Sequence, residues 1–133
     1  MRRMWSGLAA LVGAAFPVLA HAQTDLSSYY SKTYNDCMNA AGGSTYPMHD
    51  CLSAEHDVWD KSLNVIYQTR MASRLAAGKT QLRDQERAWL KTTQKKCDHA
   101  GDDEQGGSLQ GIEVDQCYLD ETIRRTLALR ALS

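Results

Sequence analysis

TYPMHDCLSAEHDVWDKSLNVIYQTRMASRLAA, residues 45–77, reads as one long amphipathic helix around which the rest of the chain must be arranged. Thr45 is placed to cap its start, and Pro47 falls in the first turn, where a missing N–H costs nothing. Leu52, Trp59, Leu63, Ile66 and Tyr67 recur at the helical period and keep one face apolar over several turns. Gly78 then supplies a residue able to take the left-handed position past the last turn. At 1.5 Å per residue such a helix is roughly 45–50 Å long, long enough to serve as a spine.

Outward from this spine, glycines mark the stops. Before Gly42-Gly43 lies a segment from about Ser27 to Ala41 carrying Tyr30, Tyr34, Cys37 and Met38. After Gly78, Thr80 is placed to cap a third segment that reaches about His99, with Leu82, Trp89 and Cys97 inward. Residues Ala100 to Gly111 form a polar, glycine-rich loop, and Ile112 to Leu132 a fourth segment. Its acids Glu113 and Asp115 fall in the first turn and Arg130 in the last, the order the helix dipole favours. Asp120/Arg124 and Glu121/Arg125 are acid-before-base pairs four apart, each worth about 0.2–0.5 kcal/mol. No stretch alternates as a strand would. The expected fold is all-α: a single small antiparallel bundle of about four helices.

The N-terminal end differs in kind. Arg2 and Arg3 precede an apolar run from Leu8 to Leu19, and Ala20-His21-Ala22 offers small residues at a peptidase site, so residues 1–22 read as a signal peptide. Residues 23–133 then form the mature domain. The apolar run is shorter than the ~20 residues a membrane span requires, and the residue just after the cleavage point is Gln23, not a cysteine that could carry a lipid. The competing reading is an uncleaved membrane helix. Removing Arg2 and Arg3 from 15 basic residues set against 16 acidic ones leaves a mature charge of about −3. That balance argues against general nucleic-acid binding. The expected location is the bacterial periplasm or the extracellular medium, without stable membrane insertion after cleavage.

Four cysteines, all beyond the leader, suit a small exported domain stapled by disulfides. They allow three pairings. Local geometry prefers Cys37–Cys51 and Cys97–Cys117, each joining the end of one helix to the start of the next across a glycine-containing loop. Closing loops of this length stabilises by about 3 kcal/mol each in the chain-entropy model. A zinc or redox site would call for close-spaced pairs, and no Cys-x-x-Cys occurs.

Several of these residues fall into a known pattern. Cys37…Met48-x-x-Cys51, Leu63-Asn64-x-x-Tyr67 and Ala88-Trp89-Leu90, with Cys97 eight residues beyond the Trp, are followed by Gly106-Gly107-Ser108, Cys117 and Thr122-x-x-Arg125. The whole resembles the lysozyme-inhibitor LprI-like N-terminal domain family across nearly all of the mature chain. The resemblance implies a small exported bacterial helical protein with paired disulfides, in a family named for a lysozyme inhibitor. Two departures stand out. The family usually has Gln three residues before the Trp, where this chain has Glu86, and Arg-Asp at the fourth and fifth positions after it, where this chain has Thr93 and Gln94. If that Arg-Asp pair helps bind a partner, this protein lacks it. From the residues alone the shared positions read as structural: Leu63 and Trp89 as apolar fillers, Asn64 and Tyr67 as polar groups that fix the register of a neighbouring helix.

No catalytic constellation is present, so no enzyme and no cofactor is expected. His49, His56 and His99 sit near Asp50, Asp57 and Asp98 without clean metal-ligand spacing, and Asp102-Asp103-Glu104 lacks the alternation of a calcium loop. Two charge features remain. Arg83, Arg87, Lys91 and Lys95 recur every four residues along one helical ridge, where like charges repel. Acids from an adjacent helix (Asp57, Asp60, Asp120 or Glu121) or an anionic partner should offset them. Asp98, Asp102, Asp103 and Glu104 make the following loop acidic and able to steer a cationic protein. The plain alternative is an ordinary solvated face and loop. The expected function is a binding protein that inhibits lysozyme-type peptidoglycan hydrolases by occlusion. The alternative is an envelope interaction or immunity-type protein with no lysozyme affinity.

Overall fold

The computed structural model describes residues 25–104 and 106–132; the leader read from residues 1–22 lies outside them. Helices α1 (Lys32–Ala41), α2 (Thr45–Ala72), α3 (Ala76–Cys97) and α4 (Ser108–Ala131) follow in order, with single 3-10 turns at Ser27–Tyr29 and Asp102–Glu104. Among the described residues there is no strand. Two disulfides, Cys37–Cys51 and Cys97–Cys117, close the expected local loops.

Successive helices run antiparallel, which makes α2 and α4 parallel. His49 meets Asp115, His56 meets Thr122 and Ser62 meets Arg130, so the two helices advance together. This parallel pair is the most extensive interface of the bundle. The reason lies in the apolar stripes: α1, with 10 residues, is too short to cover the 28 residues of α2. Leu119, Ile123 and Leu129 of α4 supply the matching stripe, each with no exposed surface. One core cluster joins Leu26, Tyr34, Leu52, Ile112, Leu119 and Ile123; a second joins Leu63, Leu82 and Leu129. Inside α4 the buried Thr122 and Thr126 hydroxyls donate to carbonyls one turn back, Tyr118 and Thr122, so neither is left unpaired.

Helix boundaries depart from the sequence expectation at several places, and α1 begins at Lys32, after a 3-10 turn, where the expected segment began at about Ser27. The first residue of α2 is Thr45 itself, with Ser44 at the cap position and no side-chain cap bond. The helix stops at Ala72, not Ala77, giving a length of about 42 Å. Gly78 and Thr80 are inside α3, and Thr80 donates to the carbonyl of Ala76 instead of capping. Glycine is tolerated near a helix start, and the chain reverses early enough for Leu82 to pack on Leu63 and Leu129. The fourth helix begins at Ser108, so Glu113 and Asp115 lie beyond its first turn. Gly111 is consequently helical and faces the imidazole of His49, where a Cβ would come within 2.9 Å of the ring. That glycine lets α2 and α4 approach. Gly42 stops α1 as expected, and it, not Gly78, takes the left-handed conformation, at φ 56°.

The start of α1 is held by polar groups from two other helices. The buried Glu55 carboxylate accepts from Ser31 N (2.8 Å), Ser31 Oγ (2.6 Å) and Trp59 Nε1 (3.2 Å), while Ser31 Oγ accepts from Tyr34 N. Tyr30 donates to Asp120 at 2.6 Å and accepts from Gln116 Nε2, whose own carbonyl takes the Tyr34 hydroxyl. Burial, reinforced by the Asp120 carboxylate, pushes the Tyr30 phenol well above its ordinary value. A phenol held neutral in the folded state stabilises it at neutral pH, and that contribution fades once unfolded tyrosine ionises, above ~10. Tyr30→Phe should therefore cost about 1–2 kcal/mol at pH 7, and denaturant titrations above pH 10 should show the wild type losing stability faster than the variant.

Candidate functional site

α3 touches α2 only sparsely, and its C-terminal end is drawn to α4 by the Cys97–Cys117 bridge. Between α2 and α3 an open cleft of ≈ 620 Å³ results, with α4 at its base. The buried Leu63, Thr93 and Thr122 form its floor, and the half-buried Tyr67 and Trp89 its walls. Asp60 and Asn64 line the α2 rim; Arg83, Arg87, Leu90 and Gln94 line the α3 rim.

Trp89 is fixed by an ion pair behind it. Arg125 of α4 donates to Glu86 Oε2 through Nε (2.8 Å) and Nη2 (2.6 Å), and its guanidinium lies 5.8 Å from the Trp89 ring centroid. Both side chains are about one-sixth exposed, 15% and 16%. The Glu86 position is the one where the resemblance leads to Gln, so this chain meets the Arg125 guanidinium with a carboxylate where Gln would offer only an uncharged amide oxygen. The expected partner, Glu121, is taken by Lys96 (2.7 Å) and Arg124 (2.8 Å). Burial would raise the Glu121 carboxyl, but these two cations outweigh it and hold it below the usual range. Asp120, expected on Arg124, is occupied by Tyr30 and Gln116.

A second chamber of ≈ 360 Å³ adjoins the first through His56 and Tyr118 and is lined further by His49, Asp50, Ser53 and Asp115. The Thr122 hydroxyl donates its one proton to the Tyr118 carbonyl, so its 3.2 Å contact with His56 Nε2 requires the proton on that nitrogen. Tyr118 donates to Asp98 at 2.6 Å, and that bond pushes its phenol up. Among the described residues no group of three His, Cys, Asp or Glu is placed to hold a metal ion.

The structure thus brings together residues that the sequence scatters. Leu63, Asn64, Tyr67, Trp89 and Thr122 all line one cleft, with Arg125 behind it and Arg83 and Arg87 at its edge. Asn64 donates to Asp60 of its own helix, at both the carbonyl and the carboxylate, and not to a neighbouring helix. Lys91 and Lys95 continue the ridge outside the cleft; Asp102, Asp103 and Glu104, in their 3-10 turn beyond α3, do not line it either. Of the ridge, only Arg87 has an acidic neighbour, Asp84 of the same helix at 4.0 Å; no acid of another helix offsets it among the described residues. In the acidic loop Asp98 holds Tyr118, and Asp102 holds His99 at 2.9 Å. His56, Tyr118, Thr93 and Gln94 were not expected here; only the last two carried a signal, as the positions where the pattern departs from the family.

A family model described as lysozyme inhibitor LprI matches residues 37–129. The chain belongs to the LprI family. The match begins at Cys37 and runs past Arg125, so it contains both disulfides and every residue lining the cleft. LprI is an inhibitor family and not an enzyme family. No curated protein and no solved structure matches the chain. No helix of the described residues is long and apolar enough to cross a membrane.

Proposed function

We propose that this LprI protein is exported by cleavage after Ala22, leaving residues 23–133 as the mature domain, and inhibits a lysozyme-type peptidoglycan hydrolase by occlusion. The observation that carries the reading is the family match over residues 37–129. The geometry adds a face: Arg83 and Arg87, exposed and free of acids from other helices, flank the cleft in which the family's motif residues meet. Glycosidases of this type work through paired carboxylates in a groove, and two arginines one turn apart are suited to meet them. Lys91 and Lys95 extend the positive field along the ridge, while Asp103 and Glu104 act at longer range on a cationic hydrolase.

Titration of the mature protein against a panel of lysozymes, at low and moderate salt, tests this. Inhibition should weaken with salt, and the double reversal Arg83→Glu/Arg87→Glu should lower affinity about ten- to hundredfold at low salt. Undiminished inhibition by that variant removes the proposed face; no binding across the panel removes the function. The mass of exported protein, expected to begin at Gln23, checks the cleavage.

A further inference from the structure

The cleft has a polarity that occlusion does not need. On one rim stand two guanidinium groups, Arg83 and Arg87; on the other stands the Asp60 carboxylate, turned toward Asn64 at 3.1 Å. Between them lie Leu63 and the rings of Tyr67 and Trp89, with Thr93 and Thr122 beside Leu63 in the floor, and the one other charged pair, Glu86–Arg125, is neutralised internally. At ≈ 620 Å³ the cavity is in the size range of sites that hold small ligands, roughly 300–1,000 Å³. The Gln94 amide on the α3 rim offers a donor pair and an acceptor, and Asn64 on the α2 rim, whose amide protons go to Asp60, offers its carbonyl oxygen, groups that a peptide unit can meet.

From this we infer that the cleft binds a short peptide with a free terminal carboxylate. The carboxylate sits between Arg83 and Arg87, an apolar side chain rests on Leu63, Tyr67 and Trp89, and the amino end faces Asp60. A fatty acid would lay an apolar chain against the Asp60 carboxylate and leave the Gln94 amide and the Asn64 carbonyl unused, and a phosphate would leave Leu63, Tyr67 and Trp89 uncovered. The inference goes beyond the inhibitor reading and does not require it, since a peptide can occupy the cleft whether or not a hydrolase docks over it.

Nitrogen–proton correlation spectra of the mature protein provide the test, with no hydrolase present. The probes are an all-L tetrapeptide with an apolar third residue and a free carboxylate, its diastereomer ending in D-alanine, and the C-terminal amide of each. The Trp89 indole N–H and the side-chain amides of Asn64 and Gln94 should shift saturably with at least one free acid. Its amide should bind about tenfold more weakly. Arg83→Ala/Arg87→Ala, two changes at exposed positions, should reduce affinity for the acid to that of the amide, and Asp60→Asn should weaken binding of the free amine form. Preference for the L-terminus points to protein C-termini as the source, and preference for the D-terminus to cell-wall peptides. Absence of saturable shifts with both acids, or an amide bound as tightly as its acid, overturns the proposal. Failure here with intact lysozyme inhibition leaves the inhibitor reading standing, and the reverse outcome leaves this one.

Discussion

Adding reductant to the oxidised protein is expected to lower its thermal midpoint by tens of degrees and to unfold a large fraction of it at 37 °C. Each bridge closes a modest loop, with separations of 14 and 20 residues, and loops of this size are worth about 3 kcal/mol apiece in the chain-entropy model. A domain of this length has only about 5–15 kcal/mol in total, so losing both bridges removes a large share. The two should not be equivalent. Cys37 and Cys51 tie down α1, which is also held by Glu55, Tyr30 and Tyr34 through hydrogen bonds to α2 and α4. Cys97 and Cys117 hold the end of α3, whose buried residues are only Leu82, Thr93 and Cys97 itself. Cys97→Ala/Cys117→Ala should therefore lower the midpoint by on the order of 10–20 °C. It should also raise hydrogen exchange along the C-terminal half of α3 selectively. Uniform exchange across all helices in that variant would show that α3 is held by packing and not by the bridge.

Arg125→Ala is expected to cost about 2–3 kcal/mol by urea unfolding, less than the 3–5 of a fully buried pair because each partner keeps some solvent. The loss has two parts. Glu86 is left as a largely buried carboxylate facing Trp89, and the guanidinium that packs on the indole is gone. Glu86→Gln should cost about 1 kcal/mol, since an amide oxygen still accepts from Arg125. The double variant Glu86→Gln/Arg125→Ala should be more stable than Arg125→Ala alone, because no charge is stranded. Near-ultraviolet circular dichroism should report the release of Trp89 in Arg125→Ala. A double variant no better than the single would mean that the charge of Glu86 is already well solvated.

Why the sequence misassigned Arg125 is instructive. Glu121 and Arg125 are four apart, a spacing that helical geometry always brings within reach, and nothing along the chain announces a competitor. In the fold Lys96 of α3 reaches Glu121, and Glu86 of the same helix reaches Arg125. Local pairs are weak enough that a long-range partner in a less exposed setting displaces them. The boundary at Ala72 was hidden for a related reason: Gly78 is a strong stop signal, but a chain reversal is placed by the packing of Leu82 on Leu63, not by the nearest glycine.

What the chain alone determined is the part governed by local physics. Helical periodicity, the glycine stop at Gly42-Gly43 and the short loops between cysteines were enough for an all-α bundle with two local bridges, because each depends on residues within a few turns of one another. The parallel pairing of α2 with α4 and the meeting of Leu63, Asn64, Tyr67, Trp89 and Thr122 in one cleft were decided only by the tertiary structure. Which apolar stripe finds which is settled by the competition among helices to bury surface, and that competition spans the whole molecule. Leu63, Tyr67 and Trp89, read as core and register, do pack in the second core cluster and at the same time line an open cleft.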